Sequence, residues 1–161
     1  MLEIREANDA DFDEIWHIFH EVVEAGESFP FAHNTSKEEA HLAWIKIPTA
    51  TYVAIIDNQV LGTYYIKPNQ SELGAHVCNA GYMVNAAARG QGIGRSMCLH
   101  SLDEARKLGF RAMQYNLVVA TNESAVNLYK QCGFSIIGTL PESFNHKRLG
   151  LVDAHVMYQL L

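Results

Sequence analysis

Residues 89–94 read Arg89-Gly90-Gln91-Gly92-Ile93-Gly94, and they decide how the rest of the chain is interpreted. An apolar strand candidate, Gly74 to Val84, runs into them, and a helical pattern starts at Ile93. The alternate glycines let backbone amides approach a ligand without a Cβ in the way. The helix N-terminus adds unpaired N–H groups and partial positive charge, and Arg89 and Arg95 add full charges. The segment therefore predicts a phosphate or pyrophosphate site.

Two common nucleotide-binding patterns do not fit this loop. The Walker pattern requires Gly-Lys-Ser/Thr, which does not follow. The dinucleotide fingerprint GxGxxG requires a third glycine at the position of Arg95. From the loop alone, a tight strand-to-helix turn that binds nothing also stays open.

A second motif lies downstream and reads Asn122-Glu123-Ser124-Ala125-x-x-Leu128-Tyr129-x-x-x-Gly133-Phe134. By itself it indicates an N-capped amphipathic helix that ends at Gly133. Taken together, the two motifs resemble the pyrophosphate loop and the following block of the GNAT acetyltransferase superfamily. The motifs and the matching order of elements cover most of the chain. The resemblance implies acetyl-coenzyme A as cofactor and one N-acetyltransferase domain over residues 1–161.

The pattern of apolar residues predicts an α/β (α+β) fold with the order β-α-α-β-β-β-α-β-α-β-β, a mixed central sheet with helices on both faces. Asp9 is the expected N-cap of the first helix and Gly26 its end. Ser36 and Glu39 form a capping box that opens a second helix, through Trp44. The predicted strands are Leu2–Ala7, Thr51–Asp57, Val60–Lys67, Gly74–Val84, Arg111–Val119, Phe134–Leu140 and Asp153–Leu161; the later helices are residues 93–108 and Glu123–Gln131.

The resemblance also implies where the cofactor lies. The strand before the loop is expected to end in a β-bulge and to splay from its neighbour, so that the pantetheine arm occupies the gap. Tyr129 is expected to protonate the leaving thiolate, since a phenol and a thiol have comparable pKa values; the alternative is a core aromatic with a satisfied hydroxyl. The implied cofactor-binding residues are Met83, Val84, Asn85, Arg89, Gly90, Gln91, Gly92, Ile93, Gly94, Arg95, Ser96, Asn122, Ala125 and Tyr129.

The general base has no obvious candidate. Many members of the superfamily carry a Glu on the strand before the loop, whereas this strand has no carboxylate after Glu72. Three interpretations stay open, namely a water relay, an amine that arrives neutral, or His76 as the base.

Two asparagines on neighbouring central strands, Asn79 and Asn116, are the candidate catalytic and substrate-binding residues. Asparagine is depleted in strands, and a buried amide must find partners. With Asn122 they resemble the arrangement in proline-analogue (azetidine-2-carboxylate) acetyltransferases, as does the run 144–153. In that group the asparagines bind a small cyclic amino acid and polarise the acetyl carbonyl. The alternative is that each amide bonds neighbouring backbone.

Two aromatic residues, Phe29 and Phe31, are expected by analogy with the family to wall the acceptor side of the cleft. Packing beneath the connection between the first two helices is their alternative role. Cys78 alternates with Asn79 along its strand, so it should point to the opposite face. An acyl-cysteine intermediate is therefore not expected.

Composition limits the partners. The net charge of −6 and pI near 5.7 argue against nucleic acid. Three cysteines without a CxxC pair indicate a reducing compartment, and no signal peptide or membrane-spanning run is visible, so a cytoplasmic protein without membrane partners is expected. The eight histidines form no metal-binding pattern, so no metal is predicted. The resemblance also allows a homodimer.

The predicted function is direct acetyl transfer, in a ternary complex, to the amine of a small molecule such as an amino acid or proline analogue. A protein or peptide N-acetyltransferase and a non-catalytic acetyl-CoA sensor are the alternatives. The missing carboxylate favours the sensor, whereas two polar asparagines and an aromatic wall suit a small acceptor better than a peptide.

Overall fold

The computed structural model describes residues 1–161, in which seven strands form one sheet in the order β1-β2-β3-β4-β5-β7-β6. The strands are β1 (Glu3–Glu6), β2 (Ala50–Ile56), β3 (Gln59–Pro68), β4 (Val77–Val84), β5 (Ala112–Val119), β6 (Ser135–His146) and β7 (Gly150–Leu160). The helices are α1 (Phe12–Ala25), α2 (Lys37–His41), α3 (Ile93–Lys107) and α4 (Glu123–Gln131). The predicted order of elements is confirmed.

All neighbouring strands pair antiparallel except β4 and β5, which pair in parallel, so the sheet is mixed as predicted. The β2–β3 hairpin turns at Asp57 and Asn58, which have φ values of 50° and 63°. Two successive left-handed residues match the right-handed twist of the flanking strands, and Asp and Asn tolerate this conformation.

Helices cover both faces of the sheet. α1 and α2 pack on one face, where Ile15, Phe19 and Trp44 are fully or almost fully buried. α3 and α4 pack on the other face, around Met97 and Tyr64. Burial of apolar side chains at helical spacing on both sides of a central sheet gives the three layers that the sequence predicts.

The start of α1 differs from the prediction. Asn8, not Asp9, caps the turn that leads into the helix, and its side chain accepts a hydrogen bond from the amide of Ala10 at 3.0 Å. Asp11 completes the cap by accepting from the amide of Asn8 at 2.8 Å. The end of α1 is as predicted, because Gly26 adopts φ 65° after its last turn.

Three strand boundaries also differ from the prediction by more than one residue. β4 starts at Val77 because residues 72–74 form a turn of 3₁₀ helix. β6 continues past Leu140 to His146, and β7 starts at Gly150 rather than Asp153. None of the helices has both the length and the apolar character needed to cross a lipid bilayer.

Candidate active site

The parallel strands β4 and β5 part soon after they meet. Their register contains only Val77 opposite Ala112 and Cys78 opposite Met113. At the next position the side chain of Asn79 bridges the gap, and its Nδ2 donates to the carbonyl of Gln114 at 2.9 Å. Beyond this point a cleft of about 940 Å³ opens between the strands. The splay implied by the family resemblance is therefore present.

The bulge implied for the end of β4 is not where it was expected. β4 pairs with β3 without a register shift from Cys78 to Val84. The irregularity lies instead on β5, between Tyr115 and Val118. A bulge bends its own strand, so β5 rather than β4 turns away from the common register.

The alternation of hydrogen bonds shows which backbone groups of β4 face the gap. The amide of Asn85 donates to Leu61 and that of Asn69 to Val77, both at 2.8 Å, so odd-numbered residues of β4 pair with β3. Even-numbered residues then turn their N–H and C=O groups toward β5. The backbone of Val84 is thus open to the cleft, whereas that of Met83 is used by the ladder to β3.

The loop after β4 has the properties that a pyrophosphate site requires. Gly90 and Gly92 have φ values of 79° and 78°, and open space lies where a Cβ would stand. The first helical hydrogen bond of α3 runs from the amide of Ser96 to the carbonyl of Gly92. The amides of residues 90–95 have no partner in the chain. Arg89 and Arg95 are exposed and outside every ion pair.

The start of α4 forms the opposite wall of the cleft. Asn122 caps the helix, with Oδ1 accepting from the amide of Ala125 at 3.4 Å and from the hydroxyl of Ser124 at 3.2 Å. Its Nδ2 has no protein partner. Gly94 of α3 approaches Leu128 of α4, and a Cβ on Gly94 would stand 3.5 Å from the Leu128 side chain.

Tyr129 lies between the two splayed strands. Its ring centroid is 4.5 Å from that of Tyr115 on β5 and 5.9 Å from that of Tyr82 on β4. Its hydroxyl makes no hydrogen bond within the protein, and no buried side-chain polar atom of the chain lacks a partner, so the hydroxyl reaches the cleft. Burial raises the pKa of Tyr129 above its usual value, which keeps the hydroxyl protonated.

Beneath Tyr129, buried hydroxyl groups brace the two strands against each other. The hydroxyl of Tyr82 lies 2.9 Å from that of Tyr115 and 2.6 Å from that of Ser101 on α3. Burial raises the pKa values of both tyrosines well above the usual value. The layer under the cleft is therefore polar but uncharged.

Most of the predicted cofactor residues lie in the wall of the cleft, and three do not. Asn85 caps the short turn after β4, with Oδ1 accepting from the amide of Ala87. Gln91 is exposed at the tip of the loop, and the amide of Ser96 is used inside α3. The residues in the wall are Met83, Val84, Arg89, Gly90, Gly92, Ile93, Gly94, Arg95, Asn122, Ala125 and Tyr129.

Asn79 and Asn116 both line the cleft, but no hydrogen bond joins them. The Oδ1 of Asn79 accepts from the hydroxyl of Tyr65 at 2.8 Å, in addition to the bond from its Nδ2 to Gln114. Asn116 is exposed, and its Nδ2 donates to Oδ1 of Asn69 at 2.7 Å. Each amide is thus held by its own neighbours, and both lie on the side of the sheet that carries α1.

Cys78 is fully buried in the core on the α3 side, opposite to Asn79, as the alternation predicts. Burial raises the pKa of its thiol to about 12, so the thiolate that nucleophilic catalysis needs is disfavoured. His76 is exposed, precedes β4 and does not line the cleft. It is therefore poorly placed to serve as the base.

The connection between α1 and α2 borders the end of the cleft away from the loop. Phe29 and Phe31 line this end and also pack against Trp44 and Phe19, so both roles considered for them apply. Glu27 pairs with Arg148, which lies after β6, at 2.8 Å.

Several residues at this end belong to no sequence motif and were not predicted as site residues. Tyr65 and Lys67 lie two residues apart on the same face of β3, and His146 and Arg148 lie at the β6–β7 turn. The Nδ1 of His146 accepts from the amides of Arg148 and Leu149 at 3.1 and 3.2 Å. Nδ1 is therefore engaged as an acceptor and is not free to act as a base.

A search against known families identifies the protein class. The model of the acetyltransferase (GNAT) family matches residues 12–134. The chain belongs to the GNAT acetyltransferase family. N-acetyltransferase aca1 of Schizosaccharomyces pombe is 30% identical to this GNAT protein in an alignment of 151 positions that covers 83% of this chain and 72% of the relative.

Solved structures of GNAT acetyltransferases are similar to this protein. A GCN5-related N-acetyltransferase from Kribbella flavida is 44% identical and superposes with a TM-score of 0.95, covering 99% of this chain and 98% of that one. A GNAT superfamily phosphinothricin acetyltransferase from Sinorhizobium meliloti, solved in complex with acetyl-CoA, is 23% identical with a TM-score of 0.90, covering 99% of this chain and 88% of that one. At that identity the likeness concerns the fold alone.

The GNAT protein described here is thus an acetyl-CoA-dependent N-acetyltransferase. Its own residues fit the cofactor. Open space over two left-handed glycines, unpartnered amides at the start of α3 and two unpaired arginines suit a pyrophosphate, and the gap between β4 and β5 suits an extended arm.

Proposed function

We propose that this GNAT N-acetyltransferase acetylates the amine of a small molecule, an amino acid or a proline analogue. The boundary of the acceptor end of the cleft carries the proposal. Phe29 and Phe31 wall it, and the ion pair of Glu27 with Arg148 ties the α1–α2 connection to the β6–β7 turn across it. A peptide substrate would need an open groove at this end.

The donor site is proposed to hold acetyl-CoA along the gap between β4 and β5. The amides at the start of α3, with Arg89 and Arg95, bind the pyrophosphate, and Nδ2 of Asn122 donates to the pantetheine arm. When bound, acetyl-CoA supplies a thioester carbonyl that the acceptor amine attacks. Proximity of the two reactants contributes the largest share of the rate, up to roughly 7–11 kcal/mol for well-aligned groups.

Two groups of the chain are proposed to act on the reacting atoms. The amide of Val84, which faces the gap, donates to the oxygen that becomes negatively charged. The hydroxyl of Tyr129 gives its proton to the departing sulfur. Asn79 has one Nδ2 hydrogen left after its bond to Gln114, and we assign this hydrogen, with the amide of Asn116, to holding the acceptor or its carbonyl.

The amine is proposed to lose its proton through water or to arrive neutral. Glu27 is the one carboxylate in the wall of the cleft, and Arg148 binds it. Its Oε1 accepts from Nε of Arg148 at 2.9 Å, so this oxygen is already engaged and is not free to take a proton from the amine. His76 lies outside the cleft, which leaves the water relay and the amine that arrives neutral.

The alternative within the family is a protein or peptide N-acetyltransferase. A turnover screen separates the proposals. Thiol release from acetyl-CoA is measured with free amino acids, proline analogues, polyamines and short peptides as acceptors. We expect release with amino acids or proline analogues. Release with peptides alone would establish a protein acetyltransferase, and the absence of release with all amino acids and proline analogues would contradict the proposed acceptor class.

A further inference from the structure

Lys67 lines the acceptor end of the cleft and has no acidic partner. Its side chain is partly buried, and its Nζ lies 5.0 Å from the centroid of the Tyr65 ring. It takes part in none of the ion pairs of the chain. An aromatic face attracts an ammonium group but does not neutralise its charge. A full positive charge therefore borders the cleft.

Lys67 also stands next to the point where β4 and β5 part. In the β3–β4 register it lies directly opposite Asn79, whose side chain bridges the gap just beyond the last paired position of β4 and β5. Directly opposed residues of antiparallel strands project from the same face with their Cβ atoms about 5 Å apart. The shared neighbour Tyr65 contacts both, through its ring and its hydroxyl. The ammonium of Lys67 therefore lies close to Tyr65 and Asn79 at the acceptor end of the cleft.

The other charges in the wall of the cleft are accounted for. Arg89 and Arg95 flank the loop at the donor end. Glu27 and Arg148 neutralise each other at 2.8 Å. Lys67 is therefore the one uncompensated charge at the acceptor end. A partly desolvated charge in a cleft favours ligands of the opposite sign, because their interaction is screened less than in water.

We propose that Lys67 binds a carboxylate of the acceptor. It thereby selects amines that carry a carboxylate on the carbon next to the nitrogen, namely α-amino acids and cyclic amino acids such as proline analogues. This inference rests on the proposed function. The ammonium donates to the carboxylate and holds the acceptor so that its nitrogen lies over the gap between β4 and β5. Lys67 is a specificity-determining residue and takes no part in the proton transfers.

The test compares each accepted amino acid or proline analogue with its carboxamide, which keeps the amine and loses the negative charge. Steady-state kinetics are measured for the wild type, Lys67→Gln and Lys67→Arg. Lys46→Gln is the matched control, since Lys46 is exposed and outside the cleft. The wild type should prefer the acid over the amide. Lys67→Gln should raise KM for the acid by about tenfold or more and remove the preference, because a charge-assisted hydrogen bond is lost. Lys67→Arg and Lys46→Gln should keep it.

A second measurement does not depend on any variant. A carboxylate of the same shape that lacks the amine, such as tetrahydrofuran-2-carboxylate for a proline analogue, should compete with the acceptor in the wild type, and its amide should not. Calorimetry with acetyl-CoA checks that Lys67→Gln keeps the donor site.

The outcomes separate the two proposals. If amino acids are acetylated but Lys67→Gln keeps the full preference for the acid, or the amine-free carboxylate fails to compete, the role of Lys67 is wrong and the proposed function stands. If the wild type releases thiol only with acceptors that lack a carboxylate, or with none, the proposed function itself is wrong.

Discussion

At the scale of single residues, Tyr129 is positioned by packing rather than by hydrogen bonds. Tyr82 and Tyr115 are fixed beneath it by bonds to each other and to Ser101, and the ring of Tyr129 rests on theirs. Its hydroxyl is left without a protein partner. A donor that is held in place but not engaged can give its proton to a leaving group without first breaking a bond.

Replacing Tyr129 with Phe should lower kcat by about 10²–10⁴-fold, because a positioned general acid contributes about that much. The ring and its packing are kept, so the affinity for acetyl-CoA in calorimetry should stay the same. An unchanged kcat would remove Tyr129 from the mechanism, and a large loss of affinity would indicate a binding role instead.

The pH dependence gives a separate check on Tyr129. Burial raises its pKa above the usual value near 10, so the acid stays protonated through the neutral and mildly alkaline range. We expect kcat to show no basic limb from this group below about pH 10. A basic limb with an apparent pKa of 8–9 that disappears in Tyr129→Phe would contradict the raised pKa.

A second single residue, Asp11, contributes to stability through hydrogen bonds to its charged form. Its carboxylate accepts two hydrogen bonds from Arg5, at 2.8 and 2.9 Å, and one from the amide of Asn8, which ties β1 to the start of α1. The hydrogen bonds from Arg5 lower the pKa of Asp11, and burial opposes this only in part. Asp11 therefore contributes stability as an anion.

Replacing Asp11 with Asn should reduce the free energy of unfolding near pH 7 by about 1–3 kcal/mol, as expected for hydrogen bonds to a charged group. Because the folded pKa lies below the unfolded value of about 3.9, this contribution is fully present above pH 4–5 and is lost as the pH falls through the folded pKa. Urea unfolding at pH 7 and pH 3 tests this. An equal difference between wild type and variant at both pH values would be inconsistent with it.

At the scale of elements, the start and the end of α3 differ in function although their glycines share a conformation. Gly92 precedes the helix with φ 78°, and Gly109 follows it with φ 90°. Neither has an atom within 4 Å of the position that a Cβ would take. Alanine at either position therefore carries a similar backbone strain, of about 1–2 kcal/mol.

This similarity makes Gly109→Ala the matched control for Gly92→Ala. Both variants should lose comparable stability in thermal unfolding. Only Gly92→Ala should weaken acetyl-CoA binding in calorimetry, since its methyl group and altered backbone lie where the pyrophosphate meets the amides of α3. Unaltered affinity in Gly92→Ala, or an equal loss in both variants, would argue against the loop as the pyrophosphate site.

At the scale of the whole molecule, the cleft is an opening in the sheet itself. The strands β4 and β5 hold together at only two register positions, and layers of helices stabilise them from both faces. A ligand in the gap would contact β4, the loop, α3 and α4 at the same time. Binding is therefore coupled to the stability of the entire fold.

Coenzyme A at about 100 times its Kd should stabilise the folded state by about 2.7 kcal/mol, which corresponds to a rise in Tm of roughly 5–10 °C for a domain of this size. The double variant Arg89→Gln, Arg95→Gln should show a smaller rise at the same concentration, because two charges beside the pyrophosphate are lost. Both side chains are exposed and outside ion pairs, so its Tm without ligand should be unchanged. An equal rise in both proteins would contradict the assignment of the arginines.

The sequence alone predicts the parts of this fold whose signals are local. The bounds of α4, Glu123–Gln131, agree with the prediction because Asn122 caps the helix and Gly133 lies just beyond its end. β6 is longer than predicted. Pro141 indicates the end of a strand, but β6 is the edge of the sheet, where a proline costs no ladder hydrogen bond on its open side, and the strand resumes after a register shift.

What the sequence by itself determined about this protein is the donor side, the glycine loop with its flanking arginines and the helix that carries Tyr129. These features depend on the geometry of a few adjacent residues. On the acceptor side the sequence predicted Asn79, Asn116, Phe29 and Phe31, which line the cleft. The charged groups of that side were decided only by the tertiary structure, because they come from distant parts of the chain. Pairing of β3 with β4 sets Lys67 beside Asn79, and closure of two connections brings Glu27 to Arg148. No local pattern records such contacts, since burial and partners exist only once the strands have assembled.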